Sequence, residues 1–190
     1  MVRGMPERVR IVTERLELRE YAADDLAALA AYQADPRSRE FYGPDATAPE
    51  RVPRLLETFL AWADEEPRSN WQLAVSLRDA PRSLVGSCGL RRGDLPAGTA
   101  EFGLELAPDT WGRGYAIEAA TALLDHGFRR LGLVSVRGFT VSGNARVTTM
   151  ARRLGLRCVT LHPGPAWMKE RGWCQIEWEI DRDGWAARHR

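Results

Sequence analysis

The sequence holds no apolar run approaching the ~18 residues of a membrane-spanning helix, which argues against an integral helical membrane protein. Its opening, MVRGMPERVRIVTERLELRE, has no apolar core of a secretory signal, so a cytoplasmic location is the expectation. Cysteine is scarce: Cys88, Cys158 and Cys174 are odd in number, far apart and without a C-x-x-C pair, which disfavours a disulfide framework and a zinc site. His126, His162 and His189 are too dispersed to suggest a ligand cluster, and no metal is assigned. No G-x-S-x-G elbow is present, so a hydrolase triad has no support. Charge of one sign is lacking as well: 27 basic and 26 acidic side chains leave +1, interspersed, so no nucleic-acid partner is expected from bulk electrostatics. Local basic pairs such as Arg152 and Arg153 stay open as phosphate contacts.

What is present is a core-forming composition, 44% hydrophobic over 190 residues, with no internal repeat and no low-complexity linker. One domain spanning residues 1–190 is expected. Residues 15–21 alternate Leu16 and Leu18 with charge, as a half-buried strand does. Asp24 and Asp25 open an amphipathic helix, Asp35-Pro36 breaks it, and a second helix runs from about Pro49 to Glu65 with Val52, Leu55, Leu56, Phe59 and Leu60 at helical spacing. Strands at 71–77, 83–90 and 100–106, parted by Pro81 and by Gly93, Pro96 and Gly98, read as an antiparallel meander. A helix at 115–130, a strand at 133–141, a helix at about 144–154 and two strands near 156–161 and 173–180 complete a mixed α/β order with one β-α-β crossover.

Residues 109–114, DTWGRG, join a strand to the helix that starts at Tyr115 and place glycine where Ser, Asp or Asn would cap better. The first amides of that helix lack an intrahelical acceptor, its dipole adds roughly half a positive charge, and glycine lets a ligand approach the backbone, so the mouth suits phosphate. A tight strand-to-helix turn with no ligand is the competing explanation. A P-loop is excluded because Tyr115 and Ala116 follow Gly114 in place of Lys and Ser or Thr. The dinucleotide fingerprint fits poorly, with Ile117 where a third small residue belongs and antiparallel strands before it.

The segment AEFGLELAPDTWGRGYAIEAATALLDHGF, together with IVTERLELRE, SLVGSCGL and NARVTTMARRLGLR in that order, resembles the GNAT (GCN5-related N-acetyltransferase) superfamily, in particular the branch of ribosomal-protein N-terminal acetyltransferases. The resemblance implies a mostly antiparallel mixed sheet, splayed between its fourth and fifth strands and flanked by helices, with acetyl-CoA as co-substrate lying in the gap. It implies that backbone groups near Leu104, Glu105 and Leu106 pair with the pantetheine arm, and that an amide at a bulge in that strand polarises the thioester. The amides of Gly112, Arg113, Gly114, Tyr115 and Ala116 would cradle the pyrophosphate. Direct attack by an amine on the thioester needs a base, for which Glu101 is the first candidate and Glu105, of the same strand parity, its competitor. Glu118, in the first helical turn, is read as dipole stabilisation. Asn144 matches a family asparagine that bonds the cofactor or orients the site, and it can equally cap a helix.

One departure stands out. Where the branch has a serine able to hydrogen-bond the departing sulfur, this chain has Val147, and residues 144–154 hold no tyrosine; Thr148, Thr149 or water are the remaining donors. Phe41, Tyr42, Trp62 and Trp71 are candidates for the acceptor wall. Trp111 is placed beside the glycine turn, and Trp173, Trp178 and Trp185 in the core or at the C-terminal edge. The expected acceptor is a primary amine, a peptide or protein N-terminus by the branch resemblance, with a small-molecule amine (antibiotic, polyamine or amino-acid derivative) as the alternative. A CoA-binding module without turnover and a nucleotide-binding protein are the rivals. Residues 35–50 carry only Asp35, Glu40, Asp45 and Glu50 as acids, a poor match to a polycation. Edge strands near the C-terminus are compatible with a homodimer.

Overall fold

The computed structural model describes residues 8–43 and 50–189. Asp45 and Pro49, named above, lie outside the described residues. Eight strands form one sheet in the order β1-β2-β3-β4-β5-β6-β8-β7: β1 Arg10–Val12, β2 Leu16–Glu20, β3 Asn70–Leu77, β4 Ala80–Arg91, β5 Thr99–Leu106, β6 Ser135–Val141, β7 Arg157–His162 and β8 Gln175–Asp181. Every pairing is antiparallel except β5 with β6. The helices are α1 Leu26–Ala34, α2 Pro36–Arg39, α3 Arg51–Asp64, α4 Tyr115–Arg129, α5 Ala145–Leu154, α6 Ala166–Lys169 and α7 Arg182–Arg188. Among the described residues, no helix is long and apolar enough to cross a membrane.

The period-2 pattern of β2 puts Leu16 and Leu18 on one face, fully buried, and Glu17 on the other, where Arg10 Nε donates to it at 2.7 Å. Two apolar clusters follow from this alternation. On one face α4 buries Ala119, Ala120, Leu123, Leu124 and Phe128 against Leu73, Leu90, Phe102 and Val136. On the other, α1 and α3 bury Leu29, Tyr32, Val52, Leu56 and Phe59 against Tyr21, Ala74 and Leu84.

The feature that positions the site is the β5–β6 pair. It is hydrogen-bonded in parallel only from Thr99↔Ser135 to Glu101↔Arg137. Beyond that point β5 stays with β4 as far as Gly86↔Leu106, and β6 stays with β8 as far as Val141↔Gln175, so the two halves of the sheet diverge. The expected splay is therefore present, between the fifth and sixth strands, because three-residue β1 adds a strand that no periodicity announced.

Three further details differ from expectation. The bulge expected in the strand of Leu104 is absent: β4 and β5 pair in unbroken register, and the irregularity lies in the β3–β4 pair around Val75, Ser76 and Leu77. Asp35-Pro36 ends α1 but also starts α2, with the Asp35 side chain accepting from Arg37 N at 2.8 Å and proline in the first turn. A final helix, α7, caps itself through Asp181 and buries Trp185.

Candidate active site between the diverging strands

The divergence leaves a cleft of about 510 Å³, walled by residues 102–106 of β5, residues 138–141 of β6 and the Val147, Met150, Ala151 and Leu154 face of α5. That volume suits a small-molecule or cofactor site. With β6 gone after Glu101, the β6-side backbone groups of residues 102–106 have no strand partner and face the cleft.

At one end stands the glycine turn. Gly112 and Gly114 adopt φ of +77° and +81°, a left-handed conformation that costs other L-residues roughly 1–2 kcal/mol. Gly114 is the N-cap of α4 and supplies no side-chain acceptor. Among the described residues, the amides of Gly112, Arg113, Gly114 and Tyr115 meet no backbone acceptor, and the first helical bond is Glu118 N to Gly114 O at 3.2 Å. Gly112, Gly114, Tyr115 and Ala116 line the cleft; the Arg113 side chain does not. A Cβ on Gly112 would meet nothing within 4 Å, so the space over this backbone is open to an anion.

The turn is held from behind by Arg15, which sequence spacing did not reveal. Its Nη1 donates to Arg113 O at 2.8 Å, and its Nη2 lies 2.6 Å from Glu118 Oε2. Glu118 also accepts from Thr13 Oγ1 at 2.6 Å and Arg15 N at 2.8 Å. Burial raises the Glu118 pKa, but the donors from Thr13 and Arg15 outweigh it and the carboxyl sits below its ordinary value. Glu118 thus anchors the turn to the N-terminal strands. Trp111 donates its Nε1 to Leu106 O at 2.8 Å, and the Arg146 guanidinium lies 4.6 Å above its ring. Asn144 lines the cleft and caps α5, its Oδ1 accepting from Val147 N at 3.1 Å.

α1 and the segment that follows α2 bring polar groups onto β5. Glu105 Oε1 accepts from the Tyr42 hydroxyl, and Oε2 lies 3.5 Å from the Tyr32 hydroxyl and 3.3 Å from Gln33 Nε2. Burial of Tyr32, and at the partly exposed Tyr42 the desolvation of its hydroxyl against the Glu105 charge, push both phenols well above their ordinary value, so both remain protonated donors at neutral pH.

Glu101 is not brought into the cleft. It belongs to the last residue pair where β6 still covers β5, and its carboxylate is engaged by Arg91 Nη2 at 2.8 Å. Glu101 and Glu105 share one strand parity, but only Glu105 lies past the point of divergence. Thr148 and Thr149 are likewise away from the lining: Val147 presents the cleft side of α5, and Thr149 Oγ1 bonds back to Ala145 O at 2.9 Å. Phe41 and Tyr42 line the cleft as expected, whereas Trp62 packs on Phe59 and Trp71 is buried beside Arg68 and Arg92. Trp178 and Trp185 are core residues, and Trp173 packs on Phe41. Among the described residues, no group of three or more His, Cys, Asp or Glu is placed to hold a metal ion.

A family model described as an acetyltransferase (GNAT) domain matches residues 15–157, which span β2 through the start of β7 and include the glycine turn, β5, β6 and α5. The chain belongs to the GNAT acetyltransferase family. This GNAT chain is 29% identical over 124 residues to the N-acetyltransferase p20 of Bacillus licheniformis, a protein of uncharacterised role, covering 65% of the chain and 68% of that protein. Spermidine N-acetyltransferase from Vibrio cholerae, solved with CoA and spermine, superposes with a TM-score of 0.76 at 15% identity over 92% of this chain and 99% of its own. Mycobacterium smegmatis RimJ, solved with CoA-disulfide, superposes with a TM-score of 0.74 at 19% identity over 94% and 88%. At those identities the two structures establish the GNAT fold and leave the acceptor to the residues of the cleft.

Proposed function

We propose that this acetyltransferase uses acetyl-CoA as donor and acts by direct transfer on a primary amine, the α-amine of a peptide or protein N-terminus. The observation that carries the reading is one cleft lined both by the glycine turn, whose first amides meet no backbone acceptor among the described residues, and by Glu105. Structures of the same fold solved with CoA and CoA-disulfide support the choice of donor. Glu105 is the sole acidic residue lining the cleft among the described residues, which supports a single amine over a polycation.

The donor supplies an acetyl thioester. The amides of Gly112, Gly114, Tyr115 and Ala116 would bind its pyrophosphate, Arg146 is near enough to the turn to add charge, and the open edge at Leu104, Glu105 and Leu106 would pair with its arm. Glu105 orients the incoming ammonium and takes its proton, directly or through one water, leaving the neutral amine to attack the carbonyl carbon. Tyr32, Gln33 and Tyr42 hold the carboxylate in place as fixed donors. Val147 offers no proton to the leaving thiolate, which is protonated by solvent.

Thermal shift with acetyl-CoA, CoA, ATP and NAD in parallel tests the donor. A ligand at 100 times its dissociation constant adds about 2.7 kcal/mol. The reading predicts a selective response to the two CoA species; stabilisation by ATP or NAD of equal size would defeat it.

A further inference from the structure

Among the described residues three arginines line the cleft, and their surroundings differ. Arg37 is neutralised, with Nη2 at 2.6 Å from Asp35 and 2.7 Å from Asp109. Arg146 stands at the glycine turn over Trp111. Arg39, the last residue of α2, differs from both: its Nε donates to Gln33 O at 3.0 Å, and among the described residues no carboxylate pairs with it. That bond ties Arg39 to Glu105, because the side chain of the same Gln33 reaches the Glu105 carboxylate. Ser38, the residue before Arg39, also lines the cleft, and its hydroxyl oxygen is buried and finds no hydrogen-bond partner among the described residues. A buried hydroxyl without a partner is costly, and a guanidinium whose Nη groups have no partner among the described residues offers the planar fork that a carboxylate fits. Glu40, adjacent in the chain, is exposed and does not line the cleft; its carbonyl is taken by Arg171 Nη1 at 2.9 Å.

We propose that Arg39 and Ser38 form an anion subsite near Glu105, and that the acceptor carries a carboxylate as well as its amine, as a peptide N-terminus with aspartate or glutamate in its second or third position. The ammonium meets Glu105 and the carboxylate meets Arg39, so the two ends of the acceptor are read by opposite charges. A polyamine has nothing to offer the second group and is repelled by it. This inference rests on Glu105 being the residue that meets the amine.

The test measures kcat/KM with saturating acetyl-CoA for peptides beginning serine-aspartate-glutamate, serine-asparagine-glutamine and serine-lysine-lysine, and for free glutamate and spermidine. The acidic peptide is expected to exceed its amide counterpart by about tenfold, with the lysine peptide and spermidine below both, and the advantage is expected to shrink as salt is added. In Arg39→Gln the ratio of acidic to amide peptide falls toward one, and in Arg39→Lys, which keeps the charge and loses the fork, part of it survives; an unchanged thermal response to acetyl-CoA shows that both variants are folded. Equal rates for the acidic and amide peptides in the unmutated protein, or spermidine as the best acceptor, overturn the anion subsite while leaving amine transfer standing. Free glutamate outrunning every peptide overturns the peptide source. No turnover with any amine, despite a normal response to acetyl-CoA, overturns the transfer reading and this inference with it.

Discussion

Glu118 holds two separate parts of the chain together, and its removal should be felt in both stability and ligand binding. Its carboxylate, with the side chain 16% exposed, accepts from Thr13 Oγ1 and Arg15 N and pairs with a guanidinium that is itself 45% exposed. The first two bonds contribute about 1 kcal/mol each, and the solvent-facing ion pair about 0.5 kcal/mol. Glu118→Ala should therefore cost about 2.5 kcal/mol at pH 7, which for a chain of this size is a fall in Tm of roughly 5–10 °C. Because the folded carboxyl lies below its ordinary value, its contribution is complete above the unfolded pKa of about 4.3 and is lost as pH falls through the folded value. Thermal unfolding of both proteins at pH 7 and at progressively lower pH reads this directly: the gap should narrow below about pH 4.3. Arg15 also loses its support against Arg113 O, so acetyl-CoA should bind less tightly to the variant. A Tm gap that is small at pH 7, or that widens on acidification, would refute the reasoning.

Gly112→Ala introduces strain without a clash, since φ is +77° and nothing lies within 4 Å of the new Cβ. It should cost about 1 kcal/mol in stability and, because the methyl stands where an anion would approach, weaken acetyl-CoA binding by about tenfold in a calorimetric titration. Trp185→Ala removes a side chain 2% exposed that stacks on Phe128 at 5.9 Å and on His189 at 3.7 Å. Chemical denaturation should show a loss of about 3–5 kcal/mol, and a loss under 1 kcal/mol would mean that α7 does not seal the core.

The alternation of Leu16 and Leu18, the helical spacing of α3 and α4, and the turn residues of the β3–β4–β5 meander made most of the sheet and its flanking helices legible, because period and punctuation are local properties. The elements that escaped notice are short or set by capping: β1 has three residues, α2 and α6 four, and α7 depends on Asp181 turning back to Gly184 N. Within the site, the glycine turn could be read from its letters, since positive φ demands glycine. The choice between Glu101 and Glu105 could not, because both have the same parity and what separates them is how far β6 accompanies β5. Tyr32, Gln33 and Tyr42 reach Glu105 from more than sixty positions away, a proximity no spacing rule encodes. Arg15 escaped for the same reason.

The central claim is that Glu105 serves an acetyl transfer from acetyl-CoA to an amine, and the most direct measurement is acetyl-CoA-dependent acetylation of a serine-initiated acidic peptide, followed by thiol release and peptide mass, for the unmutated protein and Glu105→Gln. The account predicts matched release of CoA and acetylated peptide, a loss of kcat of about a hundredfold or more in the variant, and an unchanged thermal response to acetyl-CoA. Equal turnover by Glu105→Gln would contradict it.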